Sequence, residues 1–344
     1  MRGVLDIPDD LRDLQGLITR GLERVERVFN DQLISDLPPV DAMCAHIDRY
    51  RGKMLRPTLT LLSGVAARGD SDLDDDTALG EAPVVCACVC ELVHMATLVH
   101  DDVLDEAEIR RRGQTINSIK GNETSVILGD YLIASAYELC SSLDSPVPSR
   151  IVGEASAIMC TGELLQLHNR GNLSLDEDTY FEILRRKTAA LIGASCELGA
   201  LCAVGFAKRG DPIAGALKRY GAMLGIAFQI QDDLLDLTGT TDGVGKSVGK
   251  DLEKGKLTYP LIHHLAHSGD RGRTLEIIED AAAMTPADGR ELLERIGSTG
   301  SLDAARRSAE GYVGEALASL EGVPRGPGRP MLELMARAVV DRTH

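Results

Sequence analysis

The sequence predicts an all-α fold: a single domain, residues 1–344, built from ten or more helices around a deep central cavity. Apolar residues recur at three- and four-residue spacing through most of the chain, which is the period of an amphipathic helix. No stretch shows convincing strand alternation, and no shift in composition marks a domain boundary. With 344 residues and 44% hydrophobic side chains, the chain is able to bury a substantial core.

Eight long helices are expected along the chain, and loop-forming segments separate several of them. The stretches with a helical period are 11–34, 56–67, 84–105, 123–143, 150–168, 178–206, 212–238 and 329–341. The segment SDLPPVD ends the first, and ARGDSDLDDDTALGEAP separates the second from the third. SLDSPVPSR lies between the fourth and the fifth, and EGVPRGPGRP precedes the last. Gly, Pro and clustered acidic residues favour turns, so these segments are expected to be loops.

The composition argues against several classes of protein. A net charge of −16 argues against a nucleic-acid partner, because binding to a phosphate backbone needs a basic surface. No uninterrupted run of about 18 apolar residues occurs, so we expect no transmembrane segment. The acidic N-terminal stretch MRGVLDIPDDLRDLQGL lacks the apolar core of a signal peptide, and the eight cysteines lack paired metal-ligand spacing. We therefore expect reduced thiols and a cytoplasmic protein.

One short acidic motif occurs twice. DDVLD at 101–105 returns as DDLLD at 232–236. In a helix, positions i and i+4 share a face, so the first and last aspartates of each motif are expected to lie together. Mg²⁺ typically takes one or two protein carboxylates plus the phosphates of a substrate. A single copy is also compatible with an acidic surface turn, but both copies lie within apolar helices, which favours a metal site.

Basic residues accompany both motifs, although the protein as a whole is acidic. Three arginines, Arg110, Arg111 and Arg112, follow the first motif, and guanidinium groups suit phosphate oxygens. In RGKMLRP, Lys53 and Arg56 are three residues apart and are expected to share a helix face. The remaining candidates are Lys187 and Thr188 in RRKTAAL, and Lys246 and Lys256 in GKSVGKDLEKGK. Surface salt bridges explain any one of these groups, but together they favour a site for two diphosphate groups bridged by Mg²⁺.

Seven motifs follow one another over about residues 45–265. They are GKMLRP, ELVHMATLVHDDVLD, RRRGQTIN, GDYL, KTAAL, FQIQDDLLD and GKSVGKDLEKGKLTYPL. Because these motifs occur in this order, the chain resembles a trans-isoprenyl diphosphate synthase of the polyprenyl synthetase family. The resemblance implies the isoprenoid synthase fold, a homodimer, and Mg²⁺ as cofactor with three ions per active site. It also implies the activity, that of a prenyltransferase that condenses isopentenyl diphosphate with an allylic prenyl diphosphate.

The resemblance assigns roles to residues by position. The expected metal ligands are Asp101, Asp102, Asp105, Asp232, Asp233 and Asp236. The expected contacts to the diphosphate of isopentenyl diphosphate are Lys53, Arg56 and His94, and those to the allylic diphosphate are Lys187, Thr188, Gln229, Lys246 and Lys256. Catalysis is assigned to Asp101, Asp105, Asp232 and Lys187, which stabilise the departing diphosphate.

The arginine run departs from the family pattern, which has two arginines before a glycine. Counting forward from Asp101 selects Arg110 and Arg111. Counting back from Gly113 selects Arg111 and Arg112. Both counts select Arg111, and all three arginines remain candidates for substrate binding.

The helix before the first motif predicts the length of the product. In the resembling family, short-chain synthases carry an aromatic residue five positions before the first aspartate, where this chain has Ala96. Thr97 and Val93 lie in a neighbouring column at i−4 spacing and are also small. We therefore expect a tunnel that admits a product longer than C20. A short-chain synthase that makes farnesyl or geranylgeranyl diphosphate is the alternative.

Two further alternatives share this type of fold. A terpene cyclase typically replaces the second aspartate motif with an Asn/Ser/Glu-type metal site. A non-catalytic subunit of a heteromeric synthase would usually have lost acidic or basic positions. Both motifs are complete here, which favours chain elongation. The sequence leaves open the preferred allylic starter, the pathway served and the need for a second subunit.

Overall fold

The computed structural model describes residues 8–47, 52–70, 79–111, 113–238, 250–280 and 284–342. Two candidate site residues, Arg112 and Lys246, lie outside these ranges. The chain divides into two compact units. Unit 1 comprises the residues up to Ser156 together with Leu191–Gly221 and Ser319–Leu334. Unit 2 comprises Ala157–Ala190, Ala222–Ala318 and the residues from Met335 onward.

Helices form nearly all of the regular structure in the described ranges, which confirms the all-α fold with ten or more helices. The first nine are α1 Arg12–Gln32, α2 Pro38–Ile47, α3 Leu55–Arg68, α4 Glu81–Leu104, α5 Ile116–Lys120, α6 Asn122–Ser141, α7 Val147–His168, α8 Glu177–Leu184 and α9 Ala190–Val204. The others are α10 Pro212–Thr238, α11 Lys250–Glu253, α12 Tyr259–His267, α13 Gly272–Glu279, α14 Pro286–Ser298, α15 Ser301–Ser319 and α16 Gly328–Val340.

All eight stretches predicted from the sequence are helical, with boundaries within three residues of those expected. One of them, 178–206, is interrupted: a π-helical turn, Arg185–Ala189, separates α8 from α9. The prediction of no strands is wrong in one place. Between α4 and α5, β1 Ile109–Arg110 pairs antiparallel with β2 Gly113–Gln114. Strands of two residues are too short to show an alternating pattern, so the sequence gives no sign of this hairpin.

Several helices begin at side-chain caps, which explains where the chain enters them. The Asp176 carboxylate accepts a hydrogen bond of 2.7 Å from the Thr179 backbone N–H at the start of α8. Thr285 and Asp288 form a reciprocal capping box at the start of α14. Such caps satisfy backbone donors that the first helical turn leaves without partners, and each typically contributes about 1 kcal/mol.

Helix α4 passes through the core of unit 1. It packs against α1, α3 and α6, and its cysteines Cys86, Cys88 and Cys90 are completely buried. Their small side chains fill the core, in agreement with the absence of metal-ligand spacing in the sequence. Helices α3 and α9 approach closely in the same unit, because a Cβ atom at Gly199 would overlap the carbonyl oxygen of Thr60. These contacts fix the helix that ends in the first aspartate motif.

The core of unit 2 surrounds the second half of α10. Ile226, Ile230 and Leu234 from α10 are buried with apolar side chains from α8 and α12 to α15. The rings of Tyr180 on α8 and Tyr259 on α12 stack with their centroids 5.7 Å apart. This packing places α8 and α12 beside the helix that carries the second aspartate motif.

Within the described ranges, two helical stretches are long and apolar enough to cross a membrane, judged by length and composition alone. They are Glu81–Leu104 and Glu177–Val204. Of their most apolar windows, 78% and 67% are buried inside the protein, as expected for core helices of a folded chain.

Candidate active site

The first aspartate motif lies at the C-terminal end of α4. The side chains of Asp101 and Asp105 are both partly exposed. The backbone N–H of Asp105 donates to the Asp101 carbonyl at 2.8 Å, so both residues belong to the last turn. The C-terminal end of a helix carries partial negative charge, which makes it unfavourable for carboxylates. A bound cation would offset both the helix dipole and the repulsion between the carboxylates, so these residues fit a hard metal ion.

Asp102 differs from its neighbours because its side chain is only 1% exposed. Its Oδ1 accepts a hydrogen bond from Arg110 Nε at 2.8 Å and forms an ion pair with Arg110 Nη2 at 2.7 Å. Arg110 lies on β1, so the hairpin that follows the motif returns this guanidinium to the helix end. Asn117 on α5 donates to the backbone carbonyls of Asp102 and Ala107 at 3.3 and 3.1 Å, which holds the hairpin in place.

Unit 1 also contains a basic cluster formed by Arg56, His94, Arg110 and Arg111. Burial, followed by the charges of Arg56, Arg111 and Arg110, holds the pKa of His94 well below its usual value. Burial also lowers the pKa of Arg56, whose Nε is buried without a hydrogen-bond partner in the described part of the chain. An unpaired buried donor among several cations is costly unless an anion satisfies it. The cluster therefore has the properties of an anion site.

The loop before α3 shapes one side of this cluster. A Cβ atom at Gly52 would lie 2.5 Å from Arg111 Nη2, so the glycine makes room for the guanidinium. Arg111 itself adopts a left-handed backbone conformation with φ 56°, as does Met54 with φ 53°. The expectation that Lys53 and Arg56 share a helix face is wrong, because α3 begins at Leu55. Lys53 is exposed in the turn before the helix, whereas Arg56 is in its first turn.

One acidic residue in this cluster was not identified from the sequence. Glu91 on α4 is 3% exposed, and its charge raises the pKa of both Arg56 and Arg111. It lies three residues before His94, on the same helix face. Its position in ELVHMATLVHDD was the available signal, but a glutamate in a helix has many ordinary roles.

The second aspartate motif lies in the last two turns of α10, in unit 2. Asp232 and Asp236 are partly exposed, with the Asp232 side chain 38% accessible. The Asp236 carboxylate accepts from the Asp251 backbone N–H at 3.3 Å. Arg342, near the C-terminus, places Nη1 3.0 Å from Asp232 Oδ1 and stacks its guanidinium over the Phe228 ring at 4.7 Å. A guanidinium thus offsets part of the negative charge of this motif.

Asp233 is the buried member of the second motif. The Tyr180 hydroxyl donates to its Oδ2 at 2.6 Å, and Gln229 Nε2 donates to its Oδ1 at 3.1 Å. Burial raises the pKa of Asp233 to about 7, and the charge of Asp251 adds to this, while both hydrogen bonds oppose it. Asp233 is thus held by neutral donors, whereas Asp102 is held by a guanidinium.

Lys187 and Thr188 lie in the π-helical turn between α8 and α9. Turns of this type widen a helix and occur frequently at functional sites. Lys187 forms an ion pair with Glu163 on α7. The Thr188 hydroxyl donates to Gln229 Oε1 at 3.4 Å, which connects the turn to Asp233 through Gln229. Gly162 allows this arrangement, since a Cβ atom there would lie 2.7 Å from the Lys187 backbone nitrogen.

The other allylic-site candidate that the structure describes is Lys256. It is partly exposed and follows Gly255, whose φ of 69° turns the chain after α11. Its backbone N–H donates to the Asp251 carbonyl at 2.9 Å. Asp251 connects this turn to Asp236 of the second motif. Lys256 therefore belongs to the segment that packs against the second motif.

The predicted chain-length residues all lie on α4 but differ in exposure. Ala96 and Val93 are buried, whereas Thr97 is partly exposed and donates from its hydroxyl to the His94 carbonyl at 2.7 Å. Thr97 is one turn before Asp101 and continues the partly exposed stripe of the motif. Exposure therefore changes within one column, since Val93, one turn before Thr97, is buried like Ala96.

Within each unit, the structure brings most of the predicted residues together. Unit 1 joins the first motif to Arg56, His94, Arg110 and Arg111, and unit 2 joins the second motif to Thr188 and Gln229. The residues that sequence reasoning missed are Glu91, Glu163, Tyr180, Asp251 and Arg342. Asp251 lies within the motif GKSVGKDLEKGKLTYPL. For Tyr180 and Arg342 the neighbouring sequence gives no sign of a role, because their partners are distant in the chain.

Comparison with known proteins places these features in a family. A family model described as Polyprenyl synthetase matches residues 38–296. Heptaprenyl diphosphate synthase component 2 of Bacillus subtilis is 32% identical, over 93% of this chain and 88% of the relative. Octaprenyl diphosphate synthase of Escherichia coli is 32% identical, over 97% of this chain and 99% of the relative. A short chain isoprenyl diphosphate synthase of Methanothermobacter thermautotrophicus is 33% identical, over 90% of this chain and 93% of the relative.

Solved structures are similar over nearly the whole chain. A polyprenyl synthase from Caulobacter crescentus, complexed with calcium and isoprenyl diphosphate, has a TM-score of 0.84 and 34% identity, and the match covers 100% of both chains. A decaprenyl diphosphate synthase from Rhodobacter capsulatus has a TM-score of 0.85 and 34% identity, covering 97% of this chain and 99% of that one. The fold is therefore that of these enzymes.

Proposed function

Because the chain belongs to the polyprenyl synthetase family, we propose that it is a Mg²⁺-dependent prenyltransferase. It condenses isopentenyl diphosphate with an allylic prenyl diphosphate and releases diphosphate. The observation that carries the proposal is the shared arrangement of the two aspartate motifs. In each motif two carboxylates are partly exposed and one is buried on a fixed partner, as a metal site held in position requires.

The metal ligands in this proposal are the partly exposed aspartates Asp101, Asp105, Asp232 and Asp236. Oxygen donors alone suit Mg²⁺, and both motifs are at the negative ends of helices, where a cation is favoured. When bound, three Mg²⁺ ions neutralise the charge that develops on the departing diphosphate. Asp102 and Asp233 are buried, so we assign them to positioning rather than to direct coordination.

The basic cluster of unit 1 binds the diphosphate of isopentenyl diphosphate. Arg56 offers a buried Nε without a partner in the described residues, and Arg111 offers a guanidinium beside the Gly52 backbone. Neutral His94 donates one ring N–H without adding a further charge to the cluster. Exposed Lys53 adds a point charge at the rim. Arg112 remains a candidate by sequence alone.

The π-helical turn and α10 bind the allylic diphosphate. Lys187 and Thr188 present an ammonium group and a hydroxyl from this turn, and Gln229 fixes the Thr188 side chain. Lys256 and, by sequence, Lys246 supply further charge. Cleavage of the allylic carbon–oxygen bond leaves the electron pair on diphosphate and a carbocation on the prenyl chain. The double bond of isopentenyl diphosphate attacks this cation, and loss of a proton to diphosphate gives the longer allylic product.

The product is longer than C20 in this proposal. The absence of an aromatic residue at Ala96, Thr97 and Val93 supports it, as do the names of the heptaprenyl, octaprenyl and decaprenyl relatives. Product analysis of the wild type tests it directly. We expect Ala96→Tyr or Thr97→Tyr to shorten the products without abolishing turnover, because a bulky ring fills the tunnel. Wild-type products that stop at C15 or C20, or chain lengths unchanged in both variants, would refute the tunnel.

The assembly is a homodimer in this proposal. Large apolar side chains are exposed on α6, where Ile127 is 68% accessible, together with Val126 and Tyr137. Exposed apolar side chains along one helix are typical of an interaction surface, and a second copy of this chain fits the family. The relative named component 2 supports a second candidate, a subunit that needs another protein. Turnover by the purified chain alone supports the homodimer, and inactivity restored by a partner supports the alternative.

The enzyme acts in the cytoplasm in this proposal. The acidic composition and the buried position of both apolar stretches support this location. A single assay separates the proposed reaction from its rivals: release of diphosphate from an allylic substrate with and without isopentenyl diphosphate. A synthase requires both substrates and Mg²⁺, whereas a terpene cyclase releases diphosphate from the allylic substrate alone. A non-catalytic subunit releases none.

A further inference from the structure

Unit 2 contains a group of nitrogen and oxygen donors that the prenyl-transfer reaction does not use. Glu177, His263 and His267 place one potential ligand atom each within 4.8 Å of the others. Glu177 is the first residue of α8, and the histidines are four residues apart on α12, so they share a helix face. Their rings stack with centroids 4.0 Å apart and an interplanar angle of 19°. His267 is exposed, and the other two are partly exposed.

Both imidazoles are oriented by hydrogen bonds at Nδ1. His263 Nδ1 lies 2.9 Å from Ser301 Oγ, and His267 Nδ1 lies 2.9 Å from the His263 backbone carbonyl. In both rings this leaves Nε2 as the coordinating atom. Histidine ligands of metals typically make such a hydrogen bond through the other ring nitrogen, which fixes the tautomer and the ring plane. Burial, followed by the charge of Glu177, raises the pKa of the Tyr259 hydroxyl, so the third donor lies beside this phenol.

We propose that Glu177, His263 and His267 bind a transition-metal ion of the Zn²⁺ type, at a site separate from both aspartate motifs. Two imidazoles and one carboxylate are a common ligand set for zinc with an open fourth position. Imidazole favours Zn²⁺ over Mg²⁺, so the two kinds of site differ in the metal that they select. Tetrahedral zinc separates its ligand atoms by about 3.3 Å. The three donors lie within 4.8 Å of one another, so they draw closer together when the metal binds.

The bound metal connects the start of α8 to α12. Tyr180, one turn after Glu177, donates to Asp233, and its ring stacks on Tyr259. The metal therefore stabilises α8 and α12, the two helices that pack beside the second motif on α10. Arg307 is the nearby charge that opposes a cation, since it lowers the pKa of His263, whereas Glu177 raises it. A ligand that binds only the folded chain raises its melting temperature by mass action.

The test uses the full-length chain, stripped of metal with EDTA, in buffer that contains excess Mg²⁺ to occupy the aspartate motifs. Calorimetric titration with Zn²⁺ should show one binding event per chain, and Zn²⁺ should raise the melting temperature. We expect His267→Gln and Glu177→Gln each to weaken this event at least tenfold and to reduce the thermal shift. His168→Gln, which removes an exposed histidine elsewhere in unit 2, is the matched control and should titrate as wild type.

Two results would overturn the proposal. One is a Zn²⁺ titration that is the same in His267→Gln, Glu177→Gln and wild type, which would assign binding to other groups such as exposed Cys160. The other is the absence of Zn²⁺ binding to the wild type. Prenyl transfer in Mg²⁺ without Zn²⁺ should be unchanged in His267→Gln. The outcome is thus independent of whether the proposed function is correct.

Discussion

The two aspartate motifs have nearly the same five residues, and their aspartates have the same pattern of exposure, but the motifs differ in how the buried aspartate is held. Asp102 is paired with the guanidinium of Arg110. Asp233 is paired with the neutral hydroxyl of Tyr180 and the neutral amide of Gln229. A cationic partner favours the ionised carboxylate, whereas burial among neutral donors raises the pKa of Asp233 to about 7.

The difference shows which properties a repeated motif determines. In both copies, the carboxylates at positions i and i+4 share one helix face, whereas the carboxylate at i+1 lies on another face. The electrostatic environment comes from other segments. The hairpin supplies Arg110 at the first motif, and α8 and the residues after α16 supply Tyr180 and Arg342 at the second. The two copies are therefore expected to contribute similarly to metal binding but differently to stability and pH dependence.

The largest expected effect tests whether both copies are needed for catalysis. Asp101→Ala and Asp232→Ala should each reduce turnover by at least about 100-fold, because each removes a carboxylate that holds the metal charge at the leaving group. The helical content measured by circular dichroism should stay near that of the wild type. Asp303→Ala, which removes an exposed aspartate of α15, is the matched control and should keep normal turnover. Near-normal activity of either motif variant in Mg²⁺ would contradict a role for both motifs.

The second prediction compares the two buried aspartates. Asp102→Asn should lower the free energy of unfolding by about 2–3 kcal/mol, because it leaves Arg110 beside a neutral group in a largely buried position. Asp233→Asn should cost less than about 1 kcal/mol, because it leaves no charge without its partner. The amide oxygen still accepts from Gln229, and the Tyr180 hydroxyl is able to rotate and accept from the amide N–H. Denaturant midpoints of the two variants measure the difference. Equal losses of stability in the two variants would show that the guanidinium partner of Asp102 and the neutral partners of Asp233 contribute equally.

The third prediction concerns the arginines beside the first motif. Arg111→Ala should raise KM for isopentenyl diphosphate about tenfold or more, because a hydrogen bond to a charged group typically contributes about 1.5–3 kcal/mol. Its stability should change little. Arg110→Ala should instead lower stability, since it leaves the Asp102 carboxylate buried without its guanidinium. We expect Arg110→Ala and Arg112→Ala to differ from each other in their effects on KM and stability. Equal, negligible effects of all three arginine substitutions would indicate that the arginines form a solvated surface run.

The fourth prediction is a pH dependence of opposite sign in the two regions. The lowered pKa of His94 means that the unfolded chain binds a proton below about pH 6.5 before the folded chain does, so stability falls as the pH falls. The raised pKa of Asp233 means that the folded chain binds the extra proton between about pH 4 and 7, so stability falls as the pH rises across this window. Each group changes the free energy of unfolding by at most about 1.4 kcal/mol per pH unit.

The single variants separate these two contributions. In chelator, His94→Gln should lose less stability than the wild type on going from pH 7 to pH 5. Asp233→Asn should lose less stability than the wild type on going from pH 5 to pH 7. Melting temperatures across this range provide the measurement. Parallel pH curves for both variants and the wild type would show that neither group titrates in the expected direction.

Much of the fold and part of the site are predictable from the sequence, because these features depend on residues that are close together in the chain. The long helices follow from periodicity within 20 or so residues, and the exposed pairs Asp101–Asp105 and Asp232–Asp236 follow from helix geometry. Lys53 was placed on a helix because the left-handed turn at Met54 leaves no pattern in the sequence. Partners such as Tyr180 for Asp233, or Arg342 for Asp232, are set by tertiary packing, and a single sequence does not reveal it.

The proposed function requires the two motifs to act on the same metal ions, and a double-mutant cycle tests this requirement most directly. Mn²⁺ affinity is measured by electron paramagnetic resonance for the wild type, Asp101→Asn, Asp232→Asn and the double variant, each with an unreactive allylic diphosphate analogue. If the motifs share ions, each single variant should lose most of the affinity, and the double variant should lose clearly less than the product of the two single losses. Losses that multiply, as expected for two independent sites, would contradict the account.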